Sequence, residues 1–145
     1  MRIVLDTNVL ARAASGPPGL ANELVIACTY SPRELVLSPF LISELSRVLR
    51  YERMRQVHGM SDSQIEQYLL DLQAIAVLVL PPSEARPVVA LDPQDDPVVA
   101  TAVEGQAEVL CTLDKHLLQP EVAAYCRSQG VEVLTDQQLL ARLRA

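Results

Sequence analysis

Short apolar runs recur along this 145-residue chain, and stretches of helical periodicity separate each run from the next. No other feature limits the fold so tightly. The runs are Ile3-Val4-Leu5, Leu35-Val36-Leu37, Val77-Leu78-Val79-Leu80, Val109-Leu110-Cys111 and Val131-Glu132-Val133-Leu134. Apolar runs this short suit strands buried on both faces. Strands that alternate with helices pair in parallel, because each crossover returns the chain to the same end of the sheet. The pattern predicts an α/β fold: one three-layer α/β/α domain over residues 1–145, around a mainly parallel sheet of about five strands.

The segments between the runs read as helices with their own boundaries. The first is expected from Val9 to Ala14, broken by Ser15-Gly16-Pro17-Pro18-Gly19. A second carries Leu20, Leu24, Val25 and Cys28 at helical spacing. Ser38-Pro39 supplies a cap and a first-turn proline for the third. In that third helix Leu41, Leu45, Val48 and Leu49 form an apolar stripe, and the residue filling the remaining place in it is Glu44. Ser61 opens a further helix with Ile65, Tyr68, Leu69, Leu72, Ile75 and Ala76 on one face. Asp96-Pro97 has the form of an N-cap and first helical residue, and Asp136 to Arg144 forms a last amphipathic helix. Val88-Val89-Ala90-Leu91 fits no element clearly.

Half of the residues are hydrophobic, yet there are one Phe, four Tyr and no Trp, so the core is aliphatic. No apolar run reaches the length of a bilayer span, and the N-terminus enters a strand without a signal-peptide pattern; a cytoplasmic location with no membrane partner is expected. Cys28, Cys111 and Cys126 are odd in number and widely spaced, which argues against a disulfide framework or a structural zinc site. A net charge of -6 excludes a generally basic nucleic-acid-binding surface, but not a local one. Arg47, Arg50, Arg53 and Arg55 form such a cluster, either holding phosphates or lying on a solvated helix face.

The acidic residues carry the chemistry. Asp6 directly follows the first strand and Asp114 follows the fourth, and ligands of parallel sheets bind beyond the carboxyl ends of the strands. Burying an unpaired carboxylate costs several kcal/mol, so Glu44 needs a cation, or must reach solvent or an arginine. Three aspartates, Asp92, Asp95 and Asp96, crowd one turn, more than a single helix cap requires. Carboxylates gathered around one crevice suit a hard divalent cation, Mg²⁺ or Mn²⁺. An ion so held can activate water and neutralise charge on a phosphodiester, so hydrolysis of that bond is the reaction expected.

Taken in order, these residues resemble the PIN-domain family, in its bacterial and archaeal toxin-like (VapC-like) branch. Asp6-Thr7-Asn8 is similar to the first motif of the family, Glu44 to its helical glutamate, Asp96 to the aspartate opening the later helix, and Asp114 to its last acid. The resemblance implies a Mg²⁺- or Mn²⁺-dependent endoribonuclease acting on RNA, often the toxin paired with an antitoxin protein and commonly a homodimer. It implies that Asp6, Glu44 and Asp96 hold the metal or its waters, that Asp114 supports the same site, and that Asn8 and Thr112 orient the carboxylates. Pro97 stands where this branch often has a polar residue. Asp92 or Asp95 replaces Asp96 if the register of the turn shifts. Lys115, His116, Arg47 and Arg50 are candidates for contact with the RNA backbone.

Two other readings remain at this stage. One is a PIN fold that binds RNA or protein without cutting. The other is an aspartyl-phosphate phosphatase or phosphotransferase, which resembles an Asp-x-Asp start; here position 8 is Asn, and Lys115 is the only lysine.

Overall fold

The computed structural model describes residues 1–14, 19–80 and 96–145. Five strands, β1 (Arg2–Leu5), β2 (Glu34–Leu37), β3 (Val77–Leu78), β4 (Val109–Cys111) and β5 (Glu132–Leu134), form one sheet in the order β3-β2-β1-β4-β5. Every pairing is parallel. The connecting helices are α1 (Thr7–Ala14), α2 (Leu20–Cys28), α3 (Pro39–Leu49), α4 (Glu52–His58), α5 (Asp62–Ile75), α6 (Pro97–Glu104), α7 (Pro120–Ser128) and α8 (Asp136–Arg144). This is the α/β/α architecture and five-stranded parallel sheet expected from the alternation.

The strand order explains the three layers. Steps from β1 to β2 to β3 run one way along the sheet, and the step from β4 to β5 runs the other way. Right-handed crossovers in opposite directions place helices on opposite faces. Between these halves α6 lies against β1, β2 and β4. Its close approach depends on Gly105 at the C-terminal end of the helix: a Cβ there would fall 2.7 Å from Val36 Cγ1 and 2.8 Å from the Thr101 carbonyl.

Ile3, Val4 and Leu5, together with Leu35, Val36 and Leu37, are buried, as are Val109, Leu110 and Cys111. Strands covered on both sides have no polar face, so they read as continuous apolar runs. Side-chain caps set several helix starts. Ser61 with Gln64 and Thr135 with Gln138 form reciprocal capping boxes, and Ser38 Oγ accepts from the Leu41 amide at 3.4 Å. All three cysteines are free and buried; burial pushes the thiols of Cys28 and Cys111 up to about 12 and that of Cys126 to about 11. Among the described residues no helix is long and apolar enough to cross a membrane.

Three local expectations are corrected. Val77 to Leu80 is not a buried strand: the strand itself spans Val77–Leu78 at the edge of the sheet, with one further bond from the Val79 amide to the Leu37 carbonyl, and Leu78 and Leu80 are 52% and 79% exposed. An apolar run records affinity for cover, while the position in the sheet decides whether cover is present. Ile75 is likewise exposed at the end of α5, although it shares the periodicity of Ile65, Leu69 and Leu72. The first helix begins at Thr7, because the Asp6 carbonyl already accepts from the amides of Val9 and Leu10.

Candidate active site

The sheet reverses its direction of growth between β1 and β4, and ligands of open parallel sheets bind at that border. Asp6 leaves β1 and Asp114 follows β4 on the carboxyl edge there. Asp6, Thr7, Asn8, Glu44, Asp96 and Asp114 line one cleft of about 390 Å³, with Phe40, Val48, Pro97, Val98 and Leu117 as its apolar walls. The four acids singled out in the sequence thus meet at one opening.

Asp6 lies at the floor and is 6% exposed. Its Oδ1 accepts from the Thr7 amide at 2.7 Å, and its Oδ2 accepts from Thr112 Oγ1 at 2.7 Å and from Asn8 Nδ2 at 3.5 Å. Thr112 is fully buried and also takes the Asp114 amide on its hydroxyl oxygen at 3.0 Å. Asn8 reaches back to β4's exit through Oδ1, which accepts from the Leu113 amide at 3.3 Å. One hydroxyl and one amide side chain therefore tie the two strand exits together. Burial pushes the Asp6 carboxyl above its usual range. The bonds from Thr112 and Thr7 oppose that rise, and the charges of Asp114 and Asp96 add to it.

Asp96 is the N-cap of α6, its Oδ1 accepting from Val98 at 2.8 Å and Val99 at 3.4 Å. Asp114 accepts from the His116 amide at 2.8 Å through Oδ1. In both residues Oδ2 has no donor among the described residues. Glu44 comes from α3, beside the buried Leu41 and Leu45, with its side chain 30% exposed. It forms a two-pronged pair with Arg47: Nε to Oε1 at 3.1 Å and Nη2 to Oε2 at 2.6 Å. The structure thus gives Glu44 the arginine that one reading of the sequence asked for, and the same carboxylate also lines the cleft.

The donor set is all oxygen, it includes a buried carboxylate whose charge is disfavoured, and two neighbours keep an oxygen unengaged. That is the demand a hard divalent cation meets. Among the described residues no three acidic, histidine or cysteine side chains close tightly enough to form a cage. The acids line the cleft rather than fill it, and Glu44 is drawn toward Arg47. Mg²⁺ keeps several of its waters, so carboxylates spaced around an opening can hold it through them.

The other candidates fall in different places. Lys115 and His116 are exposed just past Asp114 and do not line the cleft. Arg50 turns toward α5, where it meets Glu66 at 3.5 Å and Asp62 at 4.0 Å. Asp92 and Asp95 lie outside the described residues. Thr101 escaped the sequence reading. Its buried hydroxyl is 2.7 Å from Ser38 Oγ and donates to the Pro97 carbonyl at 2.7 Å. Each hydroxyl has one hydrogen, so the chain runs from the Leu41 amide to Ser38, to Thr101, to Pro97. It fastens the start of α3, which carries Glu44, to the start of α6, which carries Asp96. A lone threonine within Val98-Val99-Ala100-Thr101-Ala102-Val103 was the available signal.

Comparison with known proteins follows the same lines. A family model described as PIN domain matches residues 2–116. The crystal structure of PAE2754 from Pyrobaculum aerophilum superposes with a TM-score of 0.59 at 16% identity, covering 99% of this chain and 90% of that one. At that identity the likeness concerns the fold. No curated protein matches the sequence significantly. The matched segment contains β1, β2 and β4 and every acid of the cleft, and the chain belongs to the PIN-domain family, with its nuclease-type fold.

Proposed function

We propose that this PIN-domain protein is a Mg²⁺- or Mn²⁺-dependent endoribonuclease that hydrolyses RNA phosphodiester bonds. The observation that carries the reading is Asp6: a buried carboxylate, held by Thr112, Thr7 and Asn8, facing two further aspartates in an open cleft. Such an arrangement has little stabilising purpose of its own, because like charges near a buried carboxylate oppose its ionisation. Asp6, Glu44 and Asp96 would hold the ion, with Asp114 adding negative charge beside it. When bound, the ion supplies an activated water and neutralises charge on the phosphodiester. Thr112 and Asn8 keep the Asp6 oxygens in place, and the Ser38–Thr101 link ties the helix that carries Glu44 to the helix that Asp96 caps. The apolar walls at Phe40, Val48 and Leu117 limit how much water shares the cleft.

The aspartyl-phosphate alternative loses support from the same geometry. Asn8 is engaged with the Leu113 amide, and the single lysine lies outside the cleft lining. The test is incubation of purified protein with structured and unstructured RNA, with Mg²⁺, with Mn²⁺ and with chelator. Cleavage that needs the metal and disappears in Asp6→Asn supports the enzyme; no cleavage with any divalent ion overturns it.

The role of toxin, the antitoxin partner and the homodimer extend the resemblance carried by the four motifs. A small DNA-binding-protein gene overlapping or directly preceding this one, and growth arrest on expression that Asp6→Asn relieves, are the expected results.

A further inference from the structure

Arg47 holds the one cleft acid that has an arginine partner among the described residues. Both oxygens of Glu44 are occupied by the guanidinium, in the fork geometry that arginine makes best. Arg47 has a second seat as well. Its Nη1 donates to Tyr51 Oη, and the guanidinium carbon lies 5.4 Å from the centre of the Tyr51 ring, at the N-cap of α4. Two neighbouring arginines are committed elsewhere: Arg50 to Ser46, Glu66 and Asp62, and Arg55 to Asp62. A cation drawing on Glu44 meets this pair first, since a carboxylate facing a guanidinium on both oxygens is less available to a second positive charge.

We propose that Arg47, which lies behind the cleft-lining Glu44 rather than in the lining itself, is an exchangeable latch: it holds Glu44 in the metal-free cleft, yields the carboxylate to the divalent ion, and then stays on Tyr51 as a cation that meets the RNA phosphate. This rests on the metal-dependent ribonuclease reading and deepens it, making Arg47 a positioning residue for the ion and a contact for the substrate. Tyr51 is the reason the released side chain stays close to Glu44.

The test is calorimetric titration of Mn²⁺ into wild type, Arg47→Gln, Glu44→Gln and the double variant, with Arg50→Gln as a charge control. Arg47→Gln is expected to tighten Mn²⁺ binding by roughly two- to fivefold, the range that exposed ion pairs support. That gain is expected to vanish in the Glu44→Gln background, as a double-mutant cycle requires of directly coupled residues. Arg50→Gln should leave the affinity near that of wild type. At saturating Mn²⁺, Arg47→Gln should raise KM for RNA with kcat little changed, and lower the salt slope of RNA affinity by about one. Unchanged or weaker Mn²⁺ binding in Arg47→Gln, an equal gain in Arg50→Gln, or a gain that persists without Glu44 overturns the latch while leaving the nuclease intact. An unchanged KM overturns the phosphate contact. Wild-type protein that neither binds Mn²⁺ nor cuts RNA overturns both the latch and the reading beneath it.

Discussion

Replacing Thr112 by valine keeps the shape of a fully buried side chain and removes its hydroxyl, which donates to Asp6 at 2.7 Å and accepts from Asp114 at 3.0 Å. A hydrogen bond to a charged group contributes about 1.5–3 kcal/mol. The Asp114 amide adds roughly 1 kcal/mol, at the low end for an orphaned donor, because Asp114 itself is exposed to water. The metal-free Thr112→Val protein should therefore be destabilised by about 3 kcal/mol, a fall in Tm on the order of 10 °C for a chain of this size. The pH dependence carries the sharper test. Asp6 is raised in the folded state above its ordinary value of 3.8, so the folded protein binds the proton more tightly than the unfolded chain. Its contribution to stability is then full below that value and declines as pH rises through the folded pKa. The Thr112 bond favours the ionised form, so its loss raises the folded pKa further and extends the decline to higher pH. The difference between wild type and Thr112→Val should accordingly be largest near neutrality and shrink at about pH 3, where Asp6 is protonated. Urea or thermal denaturation across that range, without divalent ions, measures it, and Thr112→Ser should restore most of the loss. A Thr112→Val penalty that is the same at both ends of the range would refute the claim that this hydroxyl serves the Asp6 carboxylate.

Other expectations follow from the same contacts. Asp6→Asn removes a buried charge opposed by its surroundings, so the metal-free variant should melt at or above the wild-type temperature near neutral pH while losing nuclease activity and the stabilisation by Mn²⁺; a lower melting temperature with Mn²⁺ stabilisation intact would refute both parts. Gly105→Ala must displace Val36 or the end of α6, and should cost about 1–3 kcal/mol by chemical denaturation; a neutral outcome would show that α6 does not pack so closely on the sheet. Thr101→Val breaks the hydroxyl chain between α3 and α6, and should weaken Mn²⁺ binding as well as stability, whereas Thr101→Ser should keep the binding. The buried thiols, with Cys28 and Cys111 pushed up to about 12, should react with thiol reagents only on unfolding; rapid labelling of the native protein would contradict their burial.

Much of the chain was legible without coordinates, for a definite reason. Strands buried on both faces must be apolar throughout, and helices between them must carry a stripe, so the alternation at Ile3–Leu5, Leu35–Leu37 and Val109–Cys111 identified the parallel sheet and its carboxyl edge. Carboxylates that leave such strands, Asp6 and Asp114, are conspicuous, Glu44 stands out in an apolar stripe, and Asp96 was marked by its place before Pro97, with Asp92 and Asp95 left as alternatives in the same turn. Local capping chemistry at Ser38, Ser61 and Asp96 was equally readable, because a cap involves neighbours three residues away.

The tertiary structure decided whatever depends on residues far apart in the chain. Strand order put Asp6 and Asp114 at the border where the sheet changes direction; periodicity records which faces want cover, but not which strand sits beside which. It left Leu78 and Leu80 at an exposed edge for the same reason. The bond between Thr112 and Asp6 spans 106 residues, and that between Ser38 and Thr101 spans 63. Glu44 shows the division most clearly. Its place in the stripe predicted a carboxylate in need of a partner, and Arg47 three residues on could supply one locally, but only the packing of α3 along the cleft revealed that it lines the same opening as the other acids.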